Sequence, residues 1–382
     1  MTRLAIAPLA LWSATANAED GGAEIHPVAQ LQVWATVIDQ DVSDVADPAT
    51  YGDPEVDPGF QLYRARAGAA GAFDGPDGIG ESNAVDFKVW FGVSPAYDVP
   101  QASLLGDVST VGLVDAWLRW SVRTGLGDTE VAAGVMTVPF NRERLISSTD
   151  LLFQERSVGG EWTTAARDTG AVAAQSFELG DGALVPRIKV AVGVYNGEPD
   201  AILGNALPGL MEVGRVEFEL GDAYRTWDPE GDPAFGAGFA ARNETDPATD
   251  TFTWTGDLLV RAWYVCLLAE FSQQSIALGD TTVLAPGINA DTERRGAMGQ
   301  LSFFVPIRDD RGVEIGGRYA LFDDDVSTVS TGDVSIVHAG ATWRSALPGL
   351  DLGAGYIHRA EPAEVGAFAN DSVRLWTQVA LR

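Results

Sequence analysis

The sequence predicts an all-β fold: a transmembrane antiparallel β-barrel of sixteen strands. Three observations predict it. Segments of roughly ten residues alternate apolar and polar side chains along the whole chain. The connections between them are short on one side and long on the other. No apolar run reaches the length of a transmembrane helix, and the longest, Leu258 to Ala269, is interrupted by Arg261. A chain with this pattern can enter lipid only as a closed barrel, because hydrocarbon leaves the polar groups of an open sheet edge unsatisfied.

The first element is a leader. Arg3 supplies a charged start, Leu4 to Trp12 a short apolar core, and Ala16-Asn17-Ala18 a small-x-small cleavage site followed by Glu19 and Asp20. That is the layout of a secretory signal peptide, so residues 1–18 are set apart and residues 19–382 form the barrel.

Four strands show the alternation best. Ala29, Leu31, Val33, Ala35 and Val37 alternate with Gln30, Gln32, Trp34 and Thr36. Val85, Phe87, Val89, Phe91 and Val93 alternate with Asp86, Lys88 and Trp90. Ile188 to Val194 alternates with Arg187 and Lys189, then with small residues. Val373 to Leu381 alternates with Arg374, Trp376 and Gln378. Side chains of a strand point to opposite faces in turn, so each strand has one apolar and one polar face. The sixteen predicted strands cover about 28–38, 61–73, 83–93, 111–123, 129–138, 170–177, 184–195, 211–220, 234–242, 252–260, 264–275, 294–305, 312–322, 334–343, 350–358 and 371–382. Short turns fall at Thr124 to Asp128, Glu178 to Ala183, Arg261 to Trp263, Pro306 to Arg311 and Arg344 to Gly349. Long connections fall at 39–60, 94–110, 139–169, 196–210, 276–293, 323–333 and 359–370. Short turns at one mouth and long loops at the other describe a bacterial outer-membrane barrel. The turns at 74–82 and 221–233 are longer than that rule wants.

Composition narrows the function. The formal net charge is −29, which argues against a nucleic-acid partner. Acidic residues cluster in the long connections, as in Asp39 to Asp57 and Asp323-Asp324-Asp325, where they read as solvated charge at an outer mouth. Cys266 is the sole cysteine, so no intramolecular disulfide or cysteine-based metal site is expected. No cofactor is expected. His26, His338 and His358 lack the context of a hydrolytic triad, so an enzyme is not expected.

Among 25 basic residues only Lys88 and Lys189 are lysines. Arginine pairs with oxyanions through a planar fork, although a GC-rich genome also enriches it. On the strand phasing Arg64, Arg66, Lys88, Arg119, Arg187, Lys189, Arg215 and Arg374 all face the polar, lumenal side. A charge on the lipid face near the midplane would cost roughly 2–4 kcal/mol, so the phasing has an energetic reason. Two readings of these residues stand. They line a path for anions, or they pair with Asp86, Asp115, Glu217, Glu219 and Glu270 in a neutral structural lattice.

The connection after the fifth strand carries the most information. It contains Gly134 to Pro139-Phe140, Arg142-Glu143-Arg144, Ser147-Ser148, Phe153, Glu155-Arg156-Ser157 and Arg167-Asp168-x-Gly170. In order and spacing these pieces resemble the phosphate-selective porin O and P family. Weaker matches are Tyr63-Arg64-Ala65-Arg66, Phe87-Lys88-Val89, Asp115-Ala116-Trp117-Leu118-Arg119 and Val194-Tyr195-Asn196-Gly197. The resemblance implies a sixteen-stranded barrel, usually a homotrimer, whose third external loop folds into the lumen. Carried over, residues 139–169 are that constriction loop, and Arg142, Arg144, Arg156 and Arg167 are candidate anion-binding groups at the constriction. The function implied is passive diffusion of small hydrophilic solutes across the bacterial outer membrane, anions such as phosphate above all. The expected partners are those solutes, outer-membrane lipid and lipopolysaccharide. A non-selective or cation-preferring general porin, which the acidic mouth would favour, and a secreted β-rich binding module are the alternatives.

Overall fold

In a computed structural model the described residues are 16–17, 24–40, 59–75, 82–93, 111–180, 184–197, 209–279, 291–308, 311–330, 332–345, 349–362, 364 and 370–381. A two-residue strand, β1 (Ala16–Asn17), pairs with the start of β2. The rest of the expected leader lies outside the described residues, as do Asp41 to Asp57 of the first long connection.

Sixteen strands form the barrel. They are β2 (Glu24–Gln40), β3 (Gly59–Asp74), β4 (Ser82–Val93), β5 (Val111–Thr124), β6 (Gly127–Thr137), β7 (Arg167–Glu178), β8 (Arg187–Tyr195) and β9 (Leu210–Leu220). They continue with β10 (Ala234–Thr245), β11 (Thr249–Ala262), β12 (Val265–Leu278), β13 (Thr292–Arg308), β14 (Arg311–Asp323), β15 (Val334–Arg344), β16 (Leu350–Ala360) and β17 (Asn370–Leu381). Each pairs antiparallel with its neighbours in sequence, and β17 closes the ring on β2 with Trp376 opposite Trp34. No edge is left to satisfy. Among the described residues no helix is long and apolar enough to cross a membrane.

All sixteen strands fall where the alternation puts them. Several run further than the apolar pattern, as β2 and β13 do, because the hydrogen-bonded ladder continues past the last lipid-facing residue. The alternation sorts the faces as phased. On β8, Val190, Val192 and Val194 are exposed on the outer face while Ala191 is buried inside. On β12, Leu267 and Phe271 look out while Glu270, Ser272 and Gln274 are buried within. Outward aromatic rings meet across strands: Phe218 with Phe235 at 5.9 Å between centroids, and Trp254 with Phe239 and Phe271 at 6.1 and 5.3 Å. Such rings suit the border between hydrocarbon and headgroups. The turn between β11 and β12 is reduced to Trp263-Tyr264. Trp263 takes φ 54°, the left-handed geometry that a two-residue hairpin requires.

The interior is packed over much of its circumference. Between β6 and β7 the chain turns into the barrel, forming α1 (Arg142–Leu145) and α2 (Val158–Trp162). Its apolar residues supply a core that the wall alone lacks. Ile146, Leu151 and Val158 pack with Leu259, Leu268, Met298 and Phe322. Phe140 joins Met136, Tyr195 and Met211, while Leu152 and Phe153 sit with Trp34, Tyr63 and Trp376. Gly159 is needed for the close fit of α2, since a Cβ there would meet the Cα of Gly296 at 2.8 Å.

Candidate functional site

The segment 138–166 is fastened to the inner wall around most of its circuit. It starts on β9, where the Arg215 guanidinium donates to the Phe140 carbonyl. On β12, Glu270 accepts from the Asn141 side-chain amide at 2.8 Å and from the Glu143 backbone N–H. Arg142 reaches Asp257 of β11 at 2.8 Å and Glu217 of β9 at 3.6 Å. Glu143 pairs with Arg318 of β14 at 3.1 Å and accepts from the backbone and hydroxyl of Ser157. Arg318 also donates to the carbonyls of Glu155 and Arg156. Arg344 of β15 donates to the carbonyls of Thr149, Asp150 and Leu151 while pairing with Glu314 at 2.6 Å. Gln378 of β17, Arg64 of β3 and Arg374 of β17 complete the circuit at Thr149, Gln154 and Glu155. Backbone carbonyls buried this way must be satisfied, and the wall does so with guanidinium forks that reach two or three acceptors each.

A second segment enters from the opposite mouth. The turn 221–233, between β9 and β10, folds inward and meets the loop. Arg142 donates to the Ala223 carbonyl at 3.0 Å, and the Thr226 hydroxyl lies 3.1 Å from the Asp150 carbonyl and 3.0 Å from Glu314. The Tyr224 hydroxyl donates to Glu217, and the Trp227 ring stacks on Phe304 at 5.4 Å. Ala223 and Thr226 are buried. This is why the turn exceeds the short-turn rule. Burial beside Glu217 and Glu219 also raises the Tyr224 phenol far above its ordinary value, so it stays a donor.

The wall from β4 to β8 stays more open. Lys88 and Arg167 both reach Asp115, at 3.2 and 2.9 Å. Arg119 pairs with Asp86 at 3.0 Å, Arg187 with Glu219 at 3.6 Å and Lys189 with Glu130 at 3.3 Å. The two signs are unequally accessible. Side-chain exposure is 40% for Arg119 against 25% for Asp86, 39% for Arg187 against 5% for Glu219, and 27% for Arg167 against 4% for Asp115. Lys88, Arg119, Arg167 and Arg187 are therefore more exposed than the carboxylates that balance them, whereas Lys189 and Glu130 are exposed alike.

The structure divides the sequence-derived residues into two groups. Lys88, Arg119, Arg187 and Lys189 lie on the open wall together with Arg167. Arg64, Arg66, Arg215 and Arg374 also point inward, but they are largely covered, Arg64, Arg215 and Arg374 by the loop and Arg66 against Trp90. Arg142 corrects an expectation: it is fully buried between Asp257 and Glu217, so it faces the wall and not a passing solute. Arg156 is buried as well. Its guanidinium donates to the Glu143 and Ile146 carbonyls, and burial, with Arg144 and Arg64 nearby, lowers it to about 10. Arg144 is part-buried and paired with Glu161. The acids weighed against the cations do take them up at Asp86, Asp115, Glu217 and Glu219. Glu270 instead holds the loop through Asn141 and Glu143. Sequence reading did not single out Asp257, Glu314, Arg318 or Arg344, and it marked the turn 221–233 only by its length, because nothing local distinguishes an inward strand residue that meets a loop from one that meets water.

His338 is buried against Phe153, with ring centroids 3.7 Å apart, and His358 faces outward beside Asp371. Among the described residues one set of carboxylates could hold a cation: Asp323, Asp324 and Asp333, whose oxygens lie within 4.8 Å of one another. Ser330 and nearby backbone N–H groups already donate to Asp324 and Asp333.

No family model and no curated protein sequence matches the chain. Solved structures do. An anion-selective porin from Comamonas acidovorans aligns with TM-score 0.59 at 13% identity, over 94% of this chain and 100% of that chain. The trimer form of OmpT, an outer membrane protein of Vibrio cholerae, aligns at 0.55 and 13%, over 94% and 100%. Salmonella typhi OmpF, in complex with daunomycin, aligns at 0.56 and 11%, over 94% and 98%. At such identities the likeness is one of fold. The chain folds as a porin-like barrel, closed and apolar outside, of the kind that spans the bacterial outer membrane.

Proposed function

We propose that this barrel is a passive diffusion pore for small hydrophilic solutes, and that it favours anions. The observation that carries the reading is the unequal exposure along the β4–β8 wall, where Arg119, Arg167 and Arg187 reach solvent further than their acidic partners. A pore selects by the charge presented where it is narrow. The loop 138–166 crowds the opposite wall, so a solute passes along the cationic one. Phosphate is one anion that guanidinium forks would receive, and inorganic phosphate belongs in the test. The reading is of a pore, and the packing of His338 against Phe153 and the outward position of His358 are in keeping with it. By analogy with the trimer form of OmpT we assign a homotrimer.

The test is the reversal potential of the purified protein in a planar bilayer across a KCl gradient. Chloride should be more permeant than potassium, and Arg119→Gln with Arg187→Gln should move the ratio toward potassium. A potassium preference in the unaltered protein would remove the anion reading and leave a cation-preferring pore.

A further inference from the structure

The two in-folded segments do not quite close on each other. Between them and the β8–β9 wall lies a cavity of about 260 Å³ lined by Pro139, Leu145, Lys189, Ala191, Arg215, Glu217 and Tyr224. Its chemistry is lopsided. Arg215 is consumed by Glu217, Asp257 and the Phe140 carbonyl. Glu217 is consumed by Arg215 and the Tyr224 hydroxyl. What remains for a visitor is the Lys189 ammonium, which has three donors and, among the described residues, a single carboxylate partner, Glu130 at 3.3 Å. Sharing the gap with it are Pro139, Leu145, Tyr224 and, beside it on β8, Ala191.

We propose that this gap is a subsite for small organic monocarboxylates, with Lys189 receiving the carboxylate and Leu145, Pro139 and Tyr224 receiving the apolar tail. The inference rests on the pore reading and deepens it. One accessible cation matches one negative charge. A dianion would place its second charge near Glu217 and Glu130, whose carboxylates repel it. An apolar tail of a few carbons gains from leaving water for a wall of proline, leucine and phenol, which an inorganic anion does not. Tyr224 thereby becomes a specificity-determining residue supplied by a turn from the far mouth.

The experiment is block of the chloride current through single pores by potassium benzoate, with potassium sulfate as the dianion probe. Benzoate should reduce the current at concentrations where sulfate does not. Lys189→Gln should weaken benzoate block about tenfold, the loss of one charge-assisted hydrogen bond, and Lys189→Arg should restore most of it. Tyr224→Phe should keep the block and Leu145→Ser should weaken it. Heat-modifiable mobility on a gel shows that each variant is a folded barrel. Equal block by sulfate and benzoate, or benzoate block untouched in Lys189→Gln, overturns the subsite while leaving the pore intact. A folded barrel with no discrete conductance would instead overturn the pore reading itself.

Discussion

Arg142 shows how the same residue type serves two purposes in one lumen. Its guanidinium is wholly inside protein, held by Asp257 and Glu217 and donating to the Ala223 carbonyl, so its charge binds a loop, a turn and two strands together. Arg142→Ala would leave two carboxylates buried with one cation fewer, and breaking a buried pair costs about 3–5 kcal/mol. The expected result is a lower temperature for loss of the compact, heat-modifiable band. Arg119 makes the contrast. Its pair with Asp86 is part-exposed, worth about 0–1 kcal/mol, so Arg119→Gln should leave that temperature nearly unchanged while shifting ion selectivity. Melting and selectivity thus report different arginines.

At the scale of elements, the loop and the inward turn form one assembly. Thr226 links them, with its hydroxyl between the Asp150 carbonyl and Glu314. Thr226→Val keeps the shape and removes the donor, leaving buried acceptors short at about 1–3 kcal/mol. The released turn should raise single-channel conductance. The glycines of α2 are a second junction. Gly159→Ala forces its new methyl against Gly296 backbone, which cannot rotate away. Overpacking of this kind costs about 1–3 kcal/mol. Alanine there should lift α2 from the wall and broaden the distribution of conductance levels, whereas alanine at Gly256, which a Cβ would leave without a neighbour, should change neither.

For the whole molecule the question is which field governs entry. The net charge of −29 opposes anions, while the β4–β8 wall attracts them. The two fields differ in reach. Exposed charge is screened over about 10 Å at 0.1 M salt and 3 Å at 1 M, whereas groups within a narrow lumen are screened less. The chloride-to-potassium permeability ratio should therefore rise with ionic strength, read from reversal potentials at a fixed gradient and increasing total salt. A ratio that falls with salt would mean that the cationic wall is itself screened, and that the acidic mouth does not govern entry.

The sequence by itself determined the barrel. Strand geometry writes itself into a chain as a period of two, and lipid outside with polar contacts inside makes that period strict, so Leu31, Val33 and Ala35 against Gln30 and Gln32 fix the face of a strand without knowledge of its neighbours. The inward direction of Arg64, Lys88, Arg119, Lys189 and Arg374 followed from the same phase. The sequence also marked 139–169 as the longest connection, and 74–82 and 221–233 as turns longer than the rule wants. Only the tertiary structure decided what each inward residue meets. Arg142 and Arg167 are alike in sequence, yet one is sealed between Asp257 and Glu217 and the other stands half-open beside Asp115. Asp257 and Glu314 lie more than a hundred and more than eighty residues from the groups they hold, Arg142 and Thr226. Period-two patterning records the boundary between lipid and lumen. It carries no trace of the boundary between lumen and loop, because both of those environments accept the same polar side chains.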